Sequence, residues 1–148
     1  MRKLIHASLI AAVLAVPSAW AQDASPVGLW KSIDDESGKP KAMIRITENQ
    51  GQFQGKIEKL FRPADQEQNP KCDKCDGARK DQPIVGMVIV SGLKKDGNDY
   101  TGGEILDPAN GKVYRSKAKL LDGGKKMEVR GYVGAPMFGR SQTWVREQ

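Results

Sequence analysis

Histidine is almost missing from this chain. The one imidazole, His6, lies in a leading segment with the marks of an export signal, so the rest of the sequence carries none. That absence takes away His-based general base catalysis, Ser-His and Cys-His nucleophile pairs, and His-ligated metal sites. Cysteine is nearly as scarce, Cys72 and Cys75 being the only two. Nor is there an apolar run of membrane length: Leu4 to Val16 is about a dozen residues, short of the roughly 20 a helix needs to cross a bilayer. Helical periodicity is absent beyond the leading segment, and a long polar stretch from Phe61 to Gln82 has no apolar period.

The leading segment has a clear pattern. Arg2 and Lys3 precede the apolar run, Pro17 breaks it, and Ala19-Trp20-Ala21 supplies a small-x-small cleavage site. The expectation is a secretory signal over residues 1–21 and a mature protein over 22–148, periplasmic or extracellular and soluble once exported. The 127 residues that remain suit one domain. Removing Arg2 and Lys3 lowers the formal charge from +6 to +4, and the other bases are scattered, as in Lys56/Lys59, Lys94/Lys95 and Lys125/Lys126. Such charges solvate turns and strand edges. They could also favour anionic headgroups or envelope polyanions, whereas export argues against nucleic acid as a partner.

What the chain has in plenty is alternation. The run Gly102-Gly103-Glu104-Ile105-Leu106-Asp107-Pro108-Ala109-Asn110-Gly111-Lys112-Val113-Tyr114 reads as strand, turn, strand. Asp107-Pro108 sets one corner, and Asn110-Gly111 tolerates φ > 0 where the chain reverses. Tyr114, Ser116, Ala118 and Leu120 then alternate with charged neighbours, the period-2 signature of a strand with one wet face. A first strand begins at Val27-Gly28-Leu29-Trp30. Ala42/Ile44/Ile46 and Phe53/Gly55/Ile57 form a hairpin across Asn49-Gln50-Gly51. Ile84 to Val90 is apolar on both phases and reads as a fourth strand, buried on both faces or covered by the long loop. Asp96-Gly97-Asn98-Asp99 turns it into the fifth, Met127 to Val133 gives a seventh, and Arg140 to Arg146 the last.

Eight antiparallel strands in sequence, joined by short turns apart from one cysteine-bearing loop, are most simply satisfied by an all-β up-and-down barrel. A barrel of this size is filled by its own side chains or holds one small ligand. Glycines at 55, 86, 102, 103 and 131 suit the bends that closure demands. A two-sheet sandwich is the competing architecture.

Two resemblances rest on specific residues. Gly28-Leu29-Trp30 on the first strand, with Arg140 or Arg146 on the last, resembles the lipocalin arrangement, in which a G-x-W tryptophan at the closed end lies under an arginine from near the final strand. Gly28-Leu29-Trp30-Lys31, Cys72-Asp73-Lys74-Cys75, Pro83-Ile84-Val85-Gly86, Gly103 to Pro108, Arg130-Gly131-Tyr132 and Phe138 to Trp144 together resemble an uncharacterised family of small exported bacterial proteins, domain of unknown function 2147. The resemblance implies a lipocalin-like barrel outside the cytoplasm and carries over no catalytic residue.

Candidate chemistry is sparse. Cys72 and Cys75 could close a small disulfide ring that stiffens the long loop, act as a thiol redox pair, or contribute to a metal site with ligands from elsewhere. Their flanks, Lys71, Asp73, Lys74 and Asp76, lack the strand-to-helix setting of a thioredoxin-like pair, so the structural disulfide is the expectation. Glu104 and Asp107, three apart on a strand, point to opposite faces and make no carboxylate pair. The aromatics Trp30, Tyr114, Tyr132, Phe138 and Trp144 could line an apolar pocket or simply pack the barrel. Arg140 could cover Trp30 or face an anionic headgroup. The expectation is a non-enzymatic exported barrel, without metal or cofactor, that binds or carries a small amphipathic, lipid-like ligand, with the Gly134 to Gly139 loop as mouth or lid. The alternatives are a periplasmic thiol redox protein using Cys72 and Cys75, and a ligand-free module that docks an envelope protein.

Overall fold

Alternation of apolar and polar residues becomes alternation of inward and outward side chains. In the computed structural model, which describes residues 24–148, Ala42, Ile44 and Ile46 are buried, as are Phe53, Gly55 and Ile57, while Gln54, Lys56 and Glu58 face water. The elements are β1 (Gly28–Ile33), β2 (Pro40–Asn49), β3 (Gln52–Leu60), β4 (Val88–Asp96), β5 (Asp99–Asp107), β6 (Lys112–Leu121), β7 (Lys126–Tyr132) and β8 (Gly139–Arg146). Every strand pairs antiparallel with its sequence neighbour. The barrel closes where β1 meets β8, with Trp30 opposite Arg146 and Ser32 opposite Trp144. Among the described residues, barrel closure leaves no edge strand for another chain to extend. The expected export signal lies outside the described residues.

One strand begins later than its sequence suggests. Ile84 to Met87, expected to open the fourth strand, belong instead to the long connection, and the ladder starts at Val88. Pro83 lacks a donor, and Gly86 sits at φ +93°, so neither extends a regular ladder. The segment is tied to β3 by two bonds, from the Gly86 N–H to the Ile57 carbonyl at 2.7 Å and from the Ile57 N–H to the Met87 carbonyl at 3.0 Å. Ile84 and Met87 are buried all the same and join the core, while Val85 is exposed. The run lacks a polar phase because it joins a loop that buries Ile84 and Met87 to a strand that buries Ile89 and Val90.

The two ends of the barrel are built differently. At one end lie the β2–β3, β4–β5 and β6–β7 turns with both ends of the described chain, and the interior there is filled. The Phe53 and Tyr100 rings meet edge to face at 5.1 Å, a contact that adds about 0.5–1.5 kcal/mol to simple burial. Trp30 is fully buried, its indole N–H donating to the Pro26 carbonyl at 2.8 Å. The Arg146 guanidinium lies 4.3 Å over the Trp30 ring and donates to the carbonyls of Gly124 (2.6 Å), Val27 (2.8 Å) and Ser25. One side chain thus joins the incoming chain, the β6–β7 turn and the last strand. Burial lowers the Arg146 pKa from its ordinary value, but a guanidinium there stays charged.

Candidate site at the open end

The other end is hollow. Four connections surround it, residues 34–39, 61–87, 108–111 and 133–138, and inside them is a cavity of about 1410 Å³ open to solvent. It exceeds the roughly 300–1,000 Å³ of ordinary ligand pockets because it widens into the rim between the loops. Its wall is apolar, formed by Ile44, Ile57, Ile89, Ile105 and Val129. Its floor is Trp144, 1% exposed, which also caps the small void of the filled half and so separates the two compartments. The Trp144 indole N–H points to the Gln142 side-chain oxygen at 3.4 Å, bringing an amide to the lower wall.

Most of the residues singled out from the sequence meet here. Tyr114, Tyr132, Phe138, Arg140 and Trp144 all line the cavity. Tyr114 and Tyr132 are half-buried, and the Tyr114 hydroxyl accepts from the Asn110 amide at 3.0 Å, which fixes the phenol against the β5–β6 turn. Phe138 stands at the rim, 67% exposed beside the similarly exposed Val133 and Met137. Trp30 does not belong to this group. It is sealed in the filled end beneath Arg146, and it is Arg146, not Arg140, that covers it.

Arg140 instead closes one side of the mouth. It grips the Asp35 carboxylate through two nitrogens, at 2.7 and 3.2 Å, and reaches Glu36 at 3.4 Å, linking the β1–β2 loop to the start of β8. The hydrogen bond from Arg140 holds the Asp35 carboxyl below its ordinary range, and the same pair raises Arg140. Beside them, the backbone N–H groups of Ser37 and Glu36 donate to Asp34 and lower it too, the signature of an acid that shapes its own turn.

The strap that carries the cysteines lines the cavity through Lys71, Asp73 and Lys74. Cys72 and Cys75 are joined in a disulfide and almost completely buried. The strap that carries them is pinned by an isolated bridge between Lys71 and Pro83 and by the Cys72 N–H to the Gln82 carbonyl at 2.8 Å. It packs on the β5–β6 turn so tightly that a Cβ at Gly111, φ +73°, would fall 1.8 Å from the Lys74 carbonyl oxygen. Glycine is required there for space as well as conformation. Only a three-residue 3-10 turn, Gly77–Arg79, follows the pair. Asp107, the other acid weighed from the sequence, accepts the Ala109 N–H at 2.9 Å as a turn former, and Glu104 faces solvent.

Three features escaped sequence reading. Ser32, a neighbour of Trp144 across the seam, lines the cavity although its hydroxyl is committed to the Ala42 carbonyl at 3.4 Å. Ser116, fully buried in the inward phase of β6, has no hydrogen-bond partner for its hydroxyl. Arg62, just past β3, lines the cavity with its Nε shielded from water and likewise unpartnered. The phase of β6 could have flagged Ser116, but Arg62 sits in an aperiodic connection. Among the described residues, no three His, Cys, Asp or Glu side chains are grouped to hold a metal ion.

A closed eight-stranded antiparallel barrel with a G-x-W tryptophan under a terminal arginine at one end and a cavity at the other is a lipocalin-like barrel. A solved structure of a Helicobacter pylori protein, described as belonging to the lipocalin family, superimposes with a TM-score of 0.70 at 19% identity, covering 84% of each chain. The family model described as an uncharacterized protein conserved in bacteria, DUF2147, matches residues 28–146, and the chain belongs to that family. Comparison with curated proteins gave no match.

Proposed function

We propose that the protein is exported, cut after Ala21, and binds or carries a small amphipathic molecule in the open half of its barrel. The observation that carries this reading is the cavity itself: an apolar wall above a tryptophan floor, ringed by charged and aromatic loops. Such a graded lining suits a ligand with a greasy body and a polar head. Tyr114, Tyr132, Phe138, Arg140 and Trp144 are the proposed contacts, and Trp30 is assigned to the scaffold. The buried disulfide is compatible with an oxidising compartment and supports export.

Native mass spectrometry of protein purified from its own periplasm tests the reading directly. The expected result is a mature chain beginning at Gln22 and carrying a bound lipid-like mass, with saturable binding when delipidated protein is titrated with amphiphiles. A bare chain that binds none of them would overturn the carrier reading, and a full-length cytosolic chain would overturn export.

A further inference from the structure

Resting on the reading of the cavity as a ligand site, we infer that its ligand bears an anionic head, a carboxylate or a phosphate, and that Arg62 receives it. Arg62 follows the last residues of β3 in Phe61-Arg62-Pro63. The Phe61 N–H bonds the Lys41 carbonyl at 2.9 Å, carrying the β2–β3 ladder one step beyond the strand, and Pro63 fixes the next backbone angle. The backbone that bears the guanidinium is therefore anchored on both sides.

The side chain lines the cavity, yet its Nε is cut off from water and has no hydrogen-bond partner, nor does any described residue form an ion pair with it. A shielded donor left unpaired is costly. The carboxylates nearby are otherwise engaged. Asp34 accepts from the Glu36 and Ser37 N–H groups, Asp35 and Glu36 hold Arg140, Glu67 accepts from the Asn69 N–H at 2.8 Å, and Asp107 from Ala109. Asp73 and Asp81, on the cysteine strap, are exposed to water. Arg140 has its anion within the protein; Arg62 has none.

An oxyanion brought in by a ligand would fill that gap, and the planar fork of arginine suits a carboxylate or phosphate. The apolar wall formed by Ile57, Leu60, Ile89 and Ile105 would take the alkyl part. The head therefore sits at the loop level beside Arg62 and the tail points toward Trp144.

The test titrates delipidated protein with four single-chain probes of equal length, dodecanoate, dodecyl phosphate, dodecylamine and dodecanol, by isothermal calorimetry. The expected order places the two anions above the alcohol and the amine last. Whichever anion binds tighter separates a carboxylate source from a phosphate source. In Arg62→Gln the preference for the favoured anion over dodecanol should fall about tenfold to a hundredfold, the scale of a lost charge-assisted hydrogen bond. Arg62→Lys should recover part of it. Binding of dodecanol with no anion preference, or a preference unchanged in Arg62→Gln, would overturn the assignment of Arg62 and leave the cavity reading standing. Failure of all four probes to bind would overturn both.

Discussion

The two halves of the barrel use the same strands for opposite ends. Below Trp144 the inward side chains are large and meet one another, as with Phe53 against Tyr100 and Trp30 beneath Arg146. Above it the inward side chains are branched aliphatics that hug the wall and leave the axis empty. The lower half uses its residues for packing and the upper half to line an open cavity. Stability should therefore be concentrated below the tryptophan floor and binding above it.

The strongest way to break that contrast is at the bottom. Trp30→Ala should cost about 3–5 kcal/mol by equilibrium denaturation, the usual range for a buried aromatic truncated in a closed core. A cost no larger than that of Tyr114→Ala, whose half-buried ring faces the cavity, would remove the distinction between the halves. Arg146→Met should cost about 2–3 kcal/mol, because three backbone carbonyls lose their donor and the indole its cation.

Removing the disulfide sharpens the comparison. Replacing both Cys72 and Cys75 by Ala should cost about 2 kcal/mol or less, since the ring they close is short. Amide exchange should quicken around residues 70–83 and stay unchanged at the β1–β8 seam. Acceleration at the seam would mean that the ends are coupled after all.

The smallest effect concerns acid. Asp34 and Asp35 have folded pKa values below their ordinary ones, so their interactions stabilise the protein above the unfolded value and are lost as pH falls through the folded values. Thermal scans should show the mouth contributing at neutral pH and fading below about pH 4. Arg140→Gln should flatten that acid limb without altering the Trp30 environment. A change in Trp30 fluorescence with this variant would contradict the separation of the two ends.

Much of the fold was legible in the sequence because β2, β3 and β6 alternate cleanly and their turns carry Gly, Asn or Asp. The fourth strand was misplaced because Ile84 to Val90 offers no polar phase, and only tertiary bonds to Ile57 reveal where the ladder begins. The arginine that covers Trp30 was ambiguous for a related reason. Arg140 and Arg146 share one face of β8, six residues and about 20 Å apart, and periodicity assigns both to the same side. Strand register decides between them, since Trp30 pairs with Arg146. Arg62 left no trace, because an unpaired donor is a property of neighbours and not of pattern.

The carbonyls of Ser25 and Val27 meet Arg146, while the Leu29 N–H bonds Gln148, so the described chain starts and finishes at one pole. The aperture is at the antipode. A tag, fluorophore or surface linker attached next to Ala24 or Gln148 would thus leave the aperture unobstructed, and sensor surfaces made that way should capture probes as freely as protein in solution.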